Sequence, residues 1–346
     1  MLAYTVYSEA GGVGKTTLAA NLAKAEVRAD RRVLVVDLDT QEASLSHLLD
    51  VADDRNNDQA DSLLRHMIDR PRGEFSDLVR TSEGIDIVPA HNILEYASKH
   101  LRRREEEAAD FGESWNPNKQ LLRVLREAGV HETYDTLIVD PPASADIKLH
   151  NAIHATRHVV IPFEPSGKGY ESVQGLDQLV GGLEDQLDIE VGVLAVVPNR
   201  YKGMNDQDRF LDELAADGWE LPIKFRERSS LLEGCWAEQC TAFRYIDAHR
   251  ERERDHDRLD REEQVLAERD RERPRDDGAV RVPPGAPADH VADPRGGVGV
   301  RDGDEDRDPT DRPALPRRLV PRGEVPQQRQ HGETEDEVKL EIRQRR

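Results

Sequence analysis

A glycine-rich segment near the start of the chain has the residue types of a phosphate-binding loop. Gly11, Gly12 and Gly14 precede Lys15 and Thr16. Glycines can adopt backbone angles that turn successive N–H groups toward an anion, and a helix beginning here adds the positive end of its dipole. A lysine at this place brings charge to the β- and γ-phosphates, and the hydroxyl after it binds Mg²⁺. The segment therefore predicts a site for a nucleotide and Mg²⁺.

Three acidic residues stand at the ends of two apolar segments and are candidates for contact with metal and water. The segment Arg32–Asp39 ends in Asp37 and Asp39, and Tyr134–Asp140 ends in Asp140. Apolar strands without polar alternation are buried on both faces, and ligands of parallel sheets bind beyond the carboxyl ends of the strands. Asp37 or Asp39 could instead cap the following helix. Two acids on one strand end favour a functional role, and Asp140 is placed to hold Mg²⁺.

The elements that must position these groups alternate between strands and helices. The general phosphate-loop pattern is not met in full, because Glu9 stands where its first glycine belongs. The order of elements nevertheless predicts an α/β fold with a doubly wound, mostly parallel sheet of the P-loop NTPase type. Further strands are predicted at 2–7, 85–89, 159–163 and 191–197, and helices at 17–24, 93–109 and 121–128.

The composition of the chain changes after about residue 250. Residues 251–346 contain no Phe, Tyr or Trp and are rich in Arg, Asp, Glu, Pro and Gly. So little apolar surface cannot offset the entropy of ordering a chain. We therefore predict one globular, nucleotide-binding domain in residues 1–250 and a disordered, charged tail in 251–346. A solvated helix at 251–270 is compatible with the pattern, and a frame-shifted translation of the tail is the alternative explanation.

The charge of the chain limits its partners. The net charge is −21, and only nine of the 49 basic residues are lysines. Such an acidic, lysine-poor composition suggests a salt-loving source, with an acidic solubility tail as the alternative. It argues against a broadly basic nucleic-acid surface, so any contact with DNA needs a local patch. The basic residues available for such a patch are Lys224, Arg226, Arg228 and Arg244.

The two cysteines and the apolar segments point to a reduced, cytoplasmic protein. Four residues separate Cys235 from Cys240, and we interpret both as packing residues because metal sites usually need four donors at tighter spacing. No signal peptide and no apolar run of 18 residues is present in the sequence. We therefore expect a cytoplasmic protein without membrane insertion.

Four motifs, taken together, resemble the ParA/MinD/Soj family of deviant Walker ATPases. In order they are Gly11–Thr17, Asp37–Gln41, Tyr134–Pro142 and Ile161–Pro165, within a match over about residues 1–248. The resemblance implies an ATPase that acts as a switch, most often in plasmid or chromosome partition. Two subunits would sandwich two ATP molecules, the ATP dimer would bind DNA or another surface, and a partner protein would stimulate hydrolysis.

The resemblance also implies roles for individual residues. Lys15, Asp39 and Asp140 would be catalytic, with Asp39 positioning the attacking water and Asp140 as the Walker B acid. Thr16, Asp37 and Asp140 would support Mg²⁺. The nucleotide would be bound by Gly11, Gly12, Val13, Gly14, Lys15, Thr16 and Thr17, with Pro198 and Asn199 at the adenine.

One position departs from the family pattern. The signature lysine that reaches the partner's nucleotide would be residue 10, which is Ala10. A cation acting across an interface raises phosphoryl-transfer rates by roughly 10³ or more in other systems. We therefore predict slow hydrolysis or a substitute cation, for which Lys168 and Arg200 are candidates.

Two other functions stay open at this point. One is a nucleotide-dependent regulator that binds a protein partner and hydrolyses little ATP. The other is a MinD-like ATPase that positions cell division, although residues 339–346 hold only two apolar residues for a membrane-binding helix.

Overall fold

A seven-stranded sheet forms the centre of the protein. The computed structural model describes residues 1–166, 176–216, 218–219 and 221–249. The sheet has the order β3-β4-β2-β5-β1-β6-β7, and every neighbouring pair is parallel except β3 with β4. The strands are β1 Leu2–Val6, β2 Val33–Asp37, β3 Arg80–Ser82, β4 Ile85–Val88, β5 Thr136–Asp140, β6 His158–Phe163 and β7 Gly192–Pro198.

Helices connect the parallel strands and cover both faces of the sheet. They are α1 Lys15–Arg28, α2 Leu45–Leu48, α3 Leu63–Met67, α4 Ala97–Asp110, α5 Gln120–Glu127, α6 Val130–Thr133, α7 Ile147–Thr156, α8 Leu176–Leu187, α9 Asn205–Ala216, α10 Ser229–Ala237 and α11 Ala242–His249. Two 3₁₀ helices lie at Phe75–Leu78 and Asn92–Tyr96. No helix in these described segments is both long and apolar enough to span a bilayer.

Alternating residues of the central strands fill two cores. Leu34 and Val36 of β2 pack with α3, α4, α5 and α7, whereas Val33 and Val35 of the same strand pack with α1 and α2. Successive side chains of a strand point to opposite faces, so a strand apolar at every position needs cover on both sides. This burial fixes β2, β5 and β1 side by side at the centre of the sheet.

The predicted α/β fold with a mostly parallel sheet is confirmed, and the differences lie in the connections. Sequence reasoning missed β3, because a three-residue edge strand carries little pattern. The helix predicted at 93–109 is divided into the 3₁₀ helix at Asn92–Tyr96 and α4. Cys235 and Cys240 are both buried, as expected of packing residues. The predicted tail, 251–346, lies outside the described residues.

Candidate nucleotide-binding site

The glycine-rich loop lies between β1 and α1, as predicted. Gly12 and Gly14 have φ angles of 74° and 89°, a region that favours glycine. A Cβ atom on Gly14 would collide with the side-chain amide of Asn199, whereas none would meet an obstacle at Gly11 or Gly12. Gly14 caps α1, so the first N–H groups of this helix face the loop. The backbone thus has the form of an anion cradle.

Lys15 and Asp140 are buried groups of opposite charge at this loop. Lys15 is 9% exposed, and its Nζ donates a hydrogen bond to the carbonyl oxygen of Ala10 at 3.2 Å. Burial lowers the pKa of Lys15, while the carboxylates of Asp140 and Asp39 oppose that shift. Asp140 is 1% exposed, and neither carboxylate oxygen accepts a hydrogen bond of ordinary length within the described part of the chain, although the Thr16 hydroxyl lies near enough to favour the charged form.

The surroundings of Asp140 fit a divalent cation. Burial and then the neighbouring Asp37 carboxylate raise the pKa of Asp140 well above its usual range, and Thr16 and Lys15 oppose the rise. A buried carboxylate without a partner is costly, so groups of this kind are normally paired or bound to metal. Hard oxygen donors such as a carboxylate and a threonine hydroxyl suit Mg²⁺. The chain therefore presents the donors that a Mg²⁺–nucleotide complex would need.

Asp37 is the neighbour of Asp140 in the sheet and has a different environment. The two residues are paired in the register of β2 and β5, and Asp37 is fully buried. Its Oδ1 accepts a hydrogen bond from the N–H of Asp39 at 3.0 Å. Its Oδ2 accepts bonds from the N–H and the hydroxyl of Ser46 at 2.8 and 2.6 Å. Burial raises the pKa of Asp37 to about 6, and these bonds oppose the rise.

Asp39 lies on the β2–α2 loop, which we define as residues 38–44. It is partly exposed, and its Oδ1 accepts a hydrogen bond from the N–H of Gln41 at 3.0 Å. The guanidinium of Arg55 donates to the carbonyl oxygen of Thr40 in the same loop. Asp39 is close enough to influence the pKa of both Lys15 and Asp140. The loop thus brings Asp39 to the phosphate cradle.

Of the two residues predicted to lie at the adenine, Pro198 is the last residue of β7, and Asn199 follows it and contacts the cradle. The Asn199 amide donates to the carbonyl oxygen of Val13 at 2.7 Å, and its backbone N–H donates to Phe163 at 2.7 Å. Asn199 therefore ties the end of β7 to the phosphate loop. Its contact with adenine stays a prediction, as do the roles predicted for Thr17 and the other site residues.

Of the two cations predicted to replace the missing lysine, Arg200 lies within the described residues. Arg200 is partly exposed, and its guanidinium lies 3.5 Å from a carboxylate oxygen of Glu164. Lys168 lies outside the described residues.

The basic residues predicted as a DNA patch do not form one cluster by their contacts. Lys224 and Arg226 both lie over the ring of Tyr201, and Lys224 is 3.9 Å from Asp208. Arg228 precedes α10, and Arg244 belongs to α11.

Sequence reasoning missed a second basic group, centred on His100 of α4. Burial lowers the pKa of His100, and so do the positive charges of Lys99, Arg103, Arg70 and Arg65. These residues come from two segments about 30 positions apart in the sequence, so only the packing of α3 against α4 brings them together. Arg70 and Arg103 share one acidic partner, Glu107, and the group is otherwise positive.

One cavity of the described residues is lined by Arg55, which bonds the β2–α2 loop, and does not include the cradle. It has a volume of about 400 Å³, with an apolar floor that includes Leu63 and Val88 and a rim that includes Arg55, Arg72 and Arg80. The rim arginines already donate to nearby backbone or side-chain oxygens, such as those of Thr40, Asp58 and Asp77.

Comparison with known proteins shows that the sequence is similar to those of ATPases. The sequence model of the family described as "AAA domain" matches residues 2–190, more than half of the chain. The chromosome-partitioning ATPase Soj of Thermus thermophilus is 29% identical over 197 residues, which cover 57% of this chain and 68% of that protein.

Two solved structures share the fold. A putative plasmid partition protein of Borrelia burgdorferi, bound to AMPPNP, superposes with a TM-score of 0.58 at 18% identity, covering 77% of this chain and 97% of that one. The septum site-determining protein MinD of Pyrococcus horikoshii, complexed with Mg-ADP, gives a TM-score of 0.56 at 19% identity, covering 78% and 96%. At these identities the likeness supports the fold.

Proposed function

Because this chain belongs to the AAA domain family and to its ParA/MinD group of P-loop ATPases, we propose that it is a ParA-type partitioning or positioning ATPase that binds ATP with Mg²⁺. One observation carries the proposal. Asp140 is a buried carboxylate left without a hydrogen-bond partner among the described residues, beside Lys15 and Thr16. A buried carboxylate in this position costs stability, and a Mg²⁺–nucleotide complex would compensate for that cost.

The chain's own residues divide the work of phosphoryl transfer. The N–H groups from Gly11 to Thr17 hold the phosphates, and Lys15 adds positive charge where negative charge develops. Thr16 and Asp140 would hold Mg²⁺, which would neutralise part of the charge on the phosphate oxygens. Asp39 accepts a hydrogen bond from the attacking water and orients it toward the γ-phosphate. Catalysis is then mainly a matter of position and of charge stabilisation.

We infer that ATP binding creates a homodimer, and that a partner protein then stimulates hydrolysis. The inference rests on membership of the ParA/MinD group. The residue at position 10 affects the expected rate of ATP hydrolysis. Ala10 supplies no charge, and its carbonyl accepts the Lys15 bond.

We expect slow intrinsic hydrolysis for this reason. An Ala10→Lys variant should hydrolyse ATP at least about 10-fold faster if a cation acting across the dimer is what the chain lacks. Turnover is measured by phosphate release, and self-association by light scattering. A variant that dimerises normally yet turns over no faster than the wild-type chain would contradict the explanation.

Ala10 also supports a second candidate function, a regulator that binds a protein partner in one nucleotide state. The deciding experiment uses the full chain with ATP, ADP or no nucleotide, with and without duplex DNA, over a range of salt concentrations. ATP-dependent dimers that bind DNA and hydrolyse ATP slowly are the expected result. Nucleotide binding without turnover or DNA affinity would favour the regulator, and absence of nucleotide binding would exclude both.

The two basic groups give this experiment a structural control. Lys224 with Arg226 and the group around His100 are two candidate sources of phosphate contacts if DNA is bound. The double variants Lys224→Glu with Arg226→Glu and Lys99→Glu with Arg103→Glu change the charge equally. The group whose reversal reduces DNA affinity, and the salt dependence of binding, identifies the DNA-binding face.

A further inference from the structure

The β2–α2 loop is held in place by two side chains that lie outside it. One is Ser46, the second residue of α2, which is fully buried. Its N–H and hydroxyl both donate to Oδ2 of Asp37, at 2.8 and 2.6 Å. The other oxygen of the same carboxylate accepts the N–H of Asp39. Ser46 therefore fixes the carboxylate that in turn fixes the backbone of Asp39.

Ser46 also joins the loop to the next strand of the sheet. Its hydroxyl oxygen accepts a hydrogen bond from the N–H of Ala90 at 2.9 Å, just after β4. A serine hydroxyl has one donor and two acceptor sites, so it can bridge a carboxylate and an N–H at once. Alanine could do neither.

Arg55 is the second attachment of the loop. Its guanidinium donates to the carbonyl oxygen of Thr40, and its Nε donates to the side-chain oxygen of Asn92 at 2.9 Å. Both attachments thus lead from the loop to the segment that follows β4. The attachments thus fix Asp37, two residues before Asp39 in the chain, and Thr40, the residue after it.

We propose that Ser46 and Arg55 are positioning residues, which hold Asp39 in the orientation that directs the attacking water. The proposal rests on the function proposed above, since it needs Asp39 to act in hydrolysis. Neither side chain is among the residues predicted to bind nucleotide or metal. Loss of either attachment lets the loop move without removing a group that binds ATP. A displacement of about 1 Å in a reacting group can reduce a rate by roughly 100-fold.

The kinetic test compares variants of the full chain. Ser46→Ala and Arg55→Gln should each lower kcat by roughly 10- to 100-fold, while KM for ATP changes less than about twofold. Ser62→Ala is the matched control for the first, because Ser62 is a buried serine before α3 whose hydroxyl has no partner among the described residues. Arg80→Gln is the control for the second, since Arg80 lines the same cavity and bonds Asp54 and Asp77.

Hydrogen exchange provides a readout that needs no turnover. The N–H groups of residues 38–44 should exchange faster in Ser46→Ala and Arg55→Gln than in the controls, with the central strands unchanged. Arg55 is not a core residue, so Arg55→Gln is testable even if Ser46→Ala fails to fold. Faster loop exchange together with a fall in kcat supports the proposal.

Three results would overturn it. These are kcat values equal to those of the controls, an increase in KM with kcat unchanged, or exchange that rises equally across the whole sheet. A wild-type chain that binds but never hydrolyses ATP would instead refute the proposed function. Loop exchange would then still decide whether Ser46 and Arg55 restrain the loop.

Discussion

Asp37 and Asp140 lie next to each other at the carboxyl ends of β2 and β5, yet they differ in the hydrogen bonds that they accept. Both are buried, and the register of β2 with β5 pairs them directly. Asp37 accepts three hydrogen bonds, whereas Asp140 has none from the described residues. A satisfied buried carboxylate strengthens a fold, and an unsatisfied one weakens it. The comparison supports our proposal that Asp37 organises the site and that Asp140 binds a ligand.

Asp140→Asn should give the largest effect on activity. Loss of this carboxylate should reduce ATP hydrolysis by roughly 100-fold or more and weaken the stabilisation of the protein by Mg²⁺ with ADP. The melting temperature of the nucleotide-free protein should stay equal or rise, because the cost of burying a carboxylate that accepts no hydrogen bond outweighs its attraction to Lys15. Phosphate release and thermal unfolding measure both quantities.

Asp135→Asn is the matched control, since this acid lies at the opposite end of the same segment and pairs with Arg32. A large loss of stability in Asp140→Asn, without any change in turnover, would reverse the roles assigned to the pair.

Asp37→Asn should mainly reduce stability. The amide offers only one oxygen to the donors of Ser46 and Asp39, and its NH₂ group would face one of them. Leaving a buried donor unsatisfied costs about 1–3 kcal/mol. Urea unfolding of the nucleotide-free protein measures the loss. If Asp37→Asn unfolded at the same urea concentration as the wild-type chain, the hydrogen bonds would contribute nothing to the fold.

The smallest effect concerns another buried titratable group, His154 of α7, which is 1% exposed. Its Nδ1 has no hydrogen-bond partner in the part of the chain that the structure describes. Burial, followed by the positive charges of Arg157, Lys119 and His150, lowers its pKa to about 4. In the unfolded chain this histidine binds a proton near pH 6.5. As the pH falls, the unfolded chain is therefore protonated at His154 before the folded chain is.

The contribution of His154 to the free energy of unfolding should therefore be greatest above about pH 6.5 and decrease as the pH falls from 6.5 toward 4, whereas the raised pKa of Asp37 acts in the opposite direction. His154→Leu should flatten this dependence, while His131→Leu, which removes an exposed histidine of α6, should leave it unchanged. Urea titrations at several pH values measure it. An equal slope in wild-type and His154→Leu chains would show that this histidine is not kept neutral by the fold.

Much of the site could be predicted because its signals are local. The glycines of the phosphate loop and the acids at the ends of apolar strands can each be recognised from a segment of about ten residues. The structure brings Lys15, Asp39 and Asp140 together at the carboxyl ends of the central strands. The strands of the sheet could also be predicted from local signals, apart from the short edge strand β3.

Ser46, Arg55 and Asn199 were not recognisable as supports of the loops, because serine, arginine and asparagine in irregular segments have no distinguishing pattern. Their partners are Asp37, Thr40 and Val13, and the longest of these contacts joins residues 186 positions apart. Such contacts depend on the order of the strands.

The sequence by itself determined the parts of this protein whose physics is local: a strand buried on both faces, a glycine cradle before a helix, and an acid at a strand end. Tertiary structure decided the relation between those parts. Only the sheet order places β2 beside β5, and only that neighbourhood makes Asp37 and Asp140 a pair. Whether a buried carboxylate receives hydrogen bonds or is left without them depends on which distant donors reach it, and that is a property of the packed fold.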